Sequence, residues 1–222
     1  MTTFALIHGG GGSAYDWHLV SAALQERGHD VVAIDLPTPD PAAGVSEYAD
    51  AVADAVGGRE DVVVVGHSFG GITAPLVCER VAARALVFVT GMVPLPGEAP
   101  MAWWQATGHV DVCPAIDWED RESLLEVFFN GVPRELALAC LAHGQAEEGD
   151  RHDEPSPLEK LPDLPTFFVL CTEDRFFPAD WMRGVVRERL GIDAPDELAA
   201  GHAAPLSRPG ELADRLEAYA RT

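Results

Sequence analysis

Basic side chains are scarce in this chain. Lysine and arginine together number 15, against 36 aspartates and glutamates, for a formal charge of −21. A field of that sign repels phosphate backbones and anionic lipid, so binding to nucleic acid or to a membrane surface is disfavoured. Cysteine is scarce as well. Cys78, Cys113, Cys140 and Cys171 are scattered and form no C-x-x-C. They read as buried or incidental thiols in a reducing, cytoplasmic compartment. Long apolar runs are missing, and no stretch approaches the ~20 residues of a membrane span. No secretion signal is expected, because Met1-Thr2-Thr3 leads straight into a strand. What remains is an ordinary globular composition, 47% hydrophobic over 222 residues. That length suits one α/β domain burying roughly 70% of its unfolded surface.

The most informative stretch is Val62–Gly71, VVVVGHSFGG. Four β-branched valines in a row predict a short strand buried on both faces, as in the middle of a parallel sheet. Gly66-His67-Ser68-Phe69-Gly70 then fits G-x-S-x-G, with Gly71 behind it and a helix-compatible run over Ile72–Ala83. A sharp strand-to-helix turn strains its middle residue and crowds the flanking backbones, so glycines are needed on both sides. The expected result is a serine hydroxyl held at the carboxyl edge of a sheet.

Taken in order, the chain alternates short strands with helix-length segments. Thr3–Ile7 is a strand, followed by His8-Gly9-Gly10-Gly11-Gly12-Ser13 and a helix from about Asp16 to Arg27. Consecutive glycines leave backbone N–H groups uncovered. They suit the pyrophosphate of a dinucleotide, with Asp35 as ribose acid, or an oxyanion beside Ser68. Val31–Ile34 is a second strand, Val45–Val56 a helix capped by Gly44 or Ser46, and Ala85–Thr90 a fourth strand. This rhythm predicts a doubly wound, mostly parallel α/β sheet.

The rhythm breaks between Gly91 and Leu164. Helices are expected over Met101–Thr107, Glu119–Phe129 and Pro133–Ala142, then a polar loop over Glu147–Pro157. The segment reads as a helical cap, 91–164, inserted into a single domain spanning 1–222. It carries Met101, Trp103, Trp104, Trp118, Phe128 and Phe129. Of these, Trp103, Trp104, Phe128 and Phe129 are candidates to line an apolar substrate pocket. His109 and His143 have no second ligand at metal spacing and read as satisfied or surface histidines. Thr166–Cys171 resumes the sheet and ends near Asp174; a short strand at Asp196–Ala199 ends near Gly201-His202; a last helix covers Arg208–Ala220.

Ser68, Asp174 and His202 each follow a strand, and their chain order is that of an α/β-hydrolase. The dinucleotide reading explains the glycine loop and Asp35 but leaves these three residues without a role. The hydrolase reading explains them all.

On these residues the sequence resembles the α/β-hydrolase superfamily. It is most similar to the small capped subgroup that includes plant methylesterases and hydroxynitrile lyases. The matching residues are His8-Gly9-Gly10 with Trp17, Gly66–Gly71, Cys171–Arg175 and Gly201-His202. The resemblance implies Ser68 as nucleophile, His202 as base, Asp174 as its orienter, and the N–H groups of Gly10 and Phe69 as oxyanion hole. It implies a small-molecule ester substrate and no metal or organic cofactor. The lyase pattern has threonine after the opening histidine and lysine after the catalytic one. Here those positions are Gly9 and Ala203, which favours acyl transfer over cyanohydrin cleavage. A ligand-binding receptor with the same fold, or a lyase-like member, is the alternative to an esterase.

Overall fold

The computed structural model describes residues 1–146, 148 and 151–222. Glu147, Gly149 and Asp150 of the expected polar loop therefore lie outside the described residues.

The described residues hold six strands: β1 (Thr3–Ile7), β2 (Asp30–Ala33), β3 (Val62–His67), β4 (Ala83–Val89), β5 (Thr166–Cys171) and β6 (Asp196–Leu198). They form one sheet in the order β2-β1-β3-β4-β5-β6, and every pairing is parallel. The helices are α1 (His18–Glu26), α2 (Val45–Val56), α3 (Gly70–Cys78), α4 (Ala102–Ala106), α5 (Arg121–Phe128), α6 (Arg134–His143), α7 (Ala179–Leu190), α8 (Ala204–Ser207) and α9 (Pro209–Tyr219).

The valine run explains the layering. Val62 and Val64 join the core under α2, α3 and α7, while Val63 and Val65 join the core under α1 and α9. Alternate side chains of a strand point to opposite faces, so a central strand covered on both faces needs apolar residues at every position. The chain leaves β1 for β2 on one side and returns to β3 on the other. Ligands of doubly wound sheets bind beyond the carboxyl ends of the strands at such a reversal. The glycine loop after β1 and the serine turn after β3 flank that point.

Several boundaries differ from the sequence reading. The helix after the serine turn stops at Cys78 rather than Ala83, because Ala83 pairs with Val62 and opens β4. The first helix opens with a 3-10 turn, Ala14–Trp17, held by a capping box between Ser13 and Asp16. Helix α8, which begins one residue past Ala203, has no counterpart in the sequence reading, which goes from Gly201-His202 to the last helix. Among the described residues, the segment between β4 and β5 contains helices and no strand. No helix among them is long and apolar enough to cross a membrane. All four cysteines are free thiols.

Close packing of α3 under β1 predicts a stability effect. A Cβ on Gly70 would lie 2.5 Å from the His8 carbonyl oxygen and 2.7 Å from that of Ile7. Backbone cannot yield as a side-chain tip can, so Gly70→Ala is expected to cost about 1–3 kcal/mol in urea unfolding. Gly184, inside α7, meets nothing within 4 Å, and Gly184→Ala is expected to stabilise by roughly 0.5–1 kcal/mol.

Candidate active site

The turn after β3 is tightly pinned. Ser68 sits at φ +50°, a left-handed conformation that a non-glycine residue adopts only under constraint. Its N–H donates to Val89 O at 3.3 Å, and its own carbonyl accepts from Gly71 N–H at 3.0 Å and Met92 N–H at 2.9 Å. A Cβ on Gly66 would fall 2.7 Å from Gly70 O, and one on Gly71 would fall 2.5 Å from Met92 O. Glycine is therefore required where the sequence places it.

Three distant segments meet over this turn. Ser68 Oγ lies 2.9 Å from His202 Nε2, and His202 Nδ1–H donates to Asp174 Oδ2 at 2.8 Å. All three residues are buried. The Asp174 carboxylate takes three further hydrogen bonds: Thr90 Oγ1–H to Oδ2 at 2.6 Å, and the N–H groups of Phe176 and Phe177 to Oδ1 at 2.9 Å each. Burial alone would raise the pKa of Asp174. The neighbouring imidazole and these donors outweigh it, and the carboxyl is held below its usual range. Thr90 was not singled out in the sequence. A polar residue closing an apolar strand, itself at φ +38°, was the available signal. The adjacent acid, Glu173, is exposed and plays no part in this chain of contacts.

His67, the residue before the serine, is buried beside His202. Its Nε2–H donates to the His202 carbonyl oxygen at 2.9 Å. Burial, and next the neighbouring His202, push its pKa down to about 3, so it stays neutral through the ordinary pH range.

Gly10 and Phe69 both border the cavity above Ser68. Among the described residues, neither backbone N–H has a hydrogen-bond partner. Two unpaired donors on the wall of the cavity that Ser68 also lines are groups a developing oxyanion could use. Asp35, the acid of the dinucleotide reading, instead accepts the Ala14 N–H at 2.8 Å.

The cavity has a volume of about 720 Å³. Trp104, Phe128 and Phe129 line it, as do Met101 and Trp118. Trp103 does not, which corrects the expectation for that residue. It is fully buried, its Nε1–H donates to Val93 O at 3.0 Å, and the Arg189 guanidinium lies 5.8 Å above its ring. Consecutive residues on a helix point about 100° apart, so only one of two adjacent tryptophans faces the cavity. His109 is a satisfied histidine, its Nε2–H donating to Phe176 O at 2.8 Å. His143 lies stacked on Tyr15 at 4.0 Å.

Sequence reasoning missed several polar groups on the wall, among them Asp16, Cys140 and His152. Burial pushes the Asp16 carboxyl up to about 6; burial, and next the neighbouring Asp16 charge, push the Cys140 thiol up to about 12. They come from segments more than a hundred residues apart, which no local pattern connects.

A parallel doubly wound sheet with a serine turn after β3, an acid after β5 and a histidine after β6 defines an α/β-hydrolase fold. Residues 4–215 match the alpha/beta hydrolase family, and the chain belongs to it. It is 26% identical to an alpha-hydroxynitrile lyase of Arabidopsis thaliana, over 98% of this chain and 96% of that protein. It is 28% identical to esterase PIR7B of Oryza sativa subsp. japonica, over 96% of this chain and 93% of that protein. The crystal structure of a pyrethroid hydrolase from Sphingobium faniae JZ-2 shares the fold. Its TM-score is 0.79 at 23% identity, covering 100% of this chain and 98% of that one.

Proposed function

We propose that the protein is a serine carboxylesterase that cleaves a small apolar or aromatic ester through an acyl-enzyme. The observation that carries this reading is the unbroken contact chain from Ser68 Oγ through the His202 ring to the Asp174 carboxylate.

The chemistry follows from the donors and acceptors. His202 Nε2 removes the Ser68 proton as Oγ bonds to the ester carbonyl carbon. Asp174 holds the hydrogen on Nδ1 and stabilises the imidazolium that forms. The N–H groups of Gly10 and Phe69 receive the negative charge on the former carbonyl oxygen. The tetrahedral intermediate collapses, the ester C–O bond breaks, and His202 returns the proton to the departing alcohol. Water, deprotonated by His202, then attacks the acyl-enzyme; the acyl–Oγ bond breaks, His202 returns that proton to Ser68 Oγ, and the acid leaves. Every proton and bond is accounted for without a metal or organic cofactor.

The helical segment 91–164 acts as the lid of this site, and its Trp104, Phe128 and Phe129 favour an apolar or aromatic substituent. Two features set the reading apart from lyase chemistry. A Cβ on Gly9 would lie 2.9 Å from Ser68 Cβ, so threonine there would need the serine turn to shift. Ala203, on the cavity wall, supplies no cation where the lyase pattern has lysine. Steady-state hydrolysis of a panel of p-nitrophenyl esters, with mass-spectrometric mapping of a phosphonate label, tests the proposal. Turnover with the label on Ser68 is expected. Labelling without turnover would point to a receptor, and the absence of both turnover and label would end the esterase reading.

A further inference from the structure

The peptide unit joining Gly9 to Gly10 is gripped on its carbonyl side. Gly9 O accepts the His8 Nδ1–H at 2.8 Å and the Gly12 N–H at 3.2 Å. His8 is buried at the end of β1. Its other ring nitrogen, Nε2, lies 3.1 Å from the backbone nitrogen of Leu36. A backbone N–H can only donate, so Nε2 must carry the lone pair and Nδ1 the hydrogen. The tautomer of His8 is thus set by the loop after β2, 28 residues away. Burial also lowers the His8 pKa, which keeps the ring neutral and that arrangement intact.

All peptide bonds among the described residues are trans. In a trans peptide the C=O and N–H of one unit point in opposite directions. Tying Gly9 O to His8 and Gly12 therefore turns the Gly10 N–H to the far side, and Gly10 borders the cavity above Ser68. Without the tie, a run of four glycines has little to stop this peptide from rotating.

We propose that His8 is a positioning residue whose Nδ1–H locks the Gly9–Gly10 peptide so that the Gly10 N–H is presented to the oxyanion. This rests on the hydrolase reading above. His8 touches no substrate atom and acts through Gly10. The Gly10 N–H gains its full partner only when the oxygen becomes charged. Losing the lock should therefore lower kcat and leave KM nearly unchanged.

Two substitutions separate this role from packing. In His8→Asn the side-chain amide nitrogen falls near the place of Nδ1 and can still donate to Gly9 O, but nothing reaches Leu36. In His8→Gln the side-chain carbonyl falls near the place of Nε2 and still accepts from Leu36, but nothing reaches Gly9 O. Glutamine fills the imidazole volume better than asparagine, so a packing role ranks Gln above Asn. The lock ranks Asn above Gln. Using the full chain and a p-nitrophenyl ester, His8→Gln is expected to lose on the order of 10²-fold in kcat, and His8→Asn less than about 10-fold. Phenylboronic acid, which puts a tetrahedral oxygen in the same place, should bind His8→Gln more weakly by a similar factor. Gln equal to or better than Asn, or a change confined to KM, overturns the lock. Should His8→Gln fail to fold by circular dichroism, His8→Asn must exceed His8→Ala by on the order of 10-fold in kcat, and equality overturns it. A wild-type chain with no ester turnover overturns the hydrolase reading and this inference together. Wild-type turnover with the Asn and Gln ranking reversed overturns the lock alone.

Discussion

Ser68→Ala is expected to abolish nearly all ester turnover, by on the order of 10³-fold or more in kcat, while folding is retained. The change removes one oxygen and leaves the backbone turn with the same contacts. Ser68 N–H still donates to Val89 O, and its carbonyl still accepts from Gly71 and Met92. Alanine at φ +50° carries a strain close to that of serine, so no large stability effect is expected. His202 keeps its bond to Asp174. What disappears is the only nucleophile in the contact chain. Residual activity should come from water activated by His202 in a site that still binds ester and still offers the Gly10 and Phe69 donors. The measurement is steady-state kinetics of wild type and variant on one p-nitrophenyl ester, with thermal unfolding as the control. A variant that keeps full turnover would remove Ser68 as nucleophile and end the acyl-enzyme reading.

Much of this site was legible because strong local signals coincide with strand ends. Four valines fix a strand buried on both faces, and a strand of that kind must end at the edge of the sheet. A serine between glycines immediately after it has one geometry open to it. Asp174 and His202 were legible for a similar reason, since each stands a few residues past a β run. Parallel strands bring all such positions to one rim. The glycine run offered its N–H groups to an oxyanion as one of two readings, and resemblance alone singled out Gly10 and Phe69 as the donors, because a backbone N–H carries no residue signature. The same limit hid the Phe176 and Phe177 N–H groups that hold Asp174. Trp103 and Trp104 show where periodicity fails. A five-residue helix is too short to reveal which of two adjacent rings faces the cavity. Asp16 and Cys140, or His8 and Leu36, are brought together by tertiary contacts between separate elements, and no window on the sequence spans them.

Asp174→Asn should be as severe as loss of the serine, and the hydrogen bonds around the carboxylate say why. Oδ1 faces two backbone donors, the N–H groups of Phe176 and Phe177. An asparagine must place its carbonyl oxygen there, because its NH₂ group would meet two N–H groups head-on. The NH₂ group is then forced into the Oδ2 position, facing Thr90 Oγ1 and His202 Nδ1. Thr90 adapts by turning its hydroxyl to accept. His202 adapts only by giving up the hydrogen on Nδ1 and taking it on Nε2. In that tautomer Nε2 has no lone pair for the Ser68 proton, and the relay stops. The expected loss is about 10⁴-fold in kcat, with substrate affinity and the fold largely kept. Thr90→Val removes one of the four donors without touching the tautomer, and should cost far less than Asp174→Asn. Kinetics of both variants on the same ester check this order. If Asp174→Asn ran at the wild-type rate, the imidazole would not depend on this carboxylate. The contact chain that carries the esterase reading would then be broken at its third member.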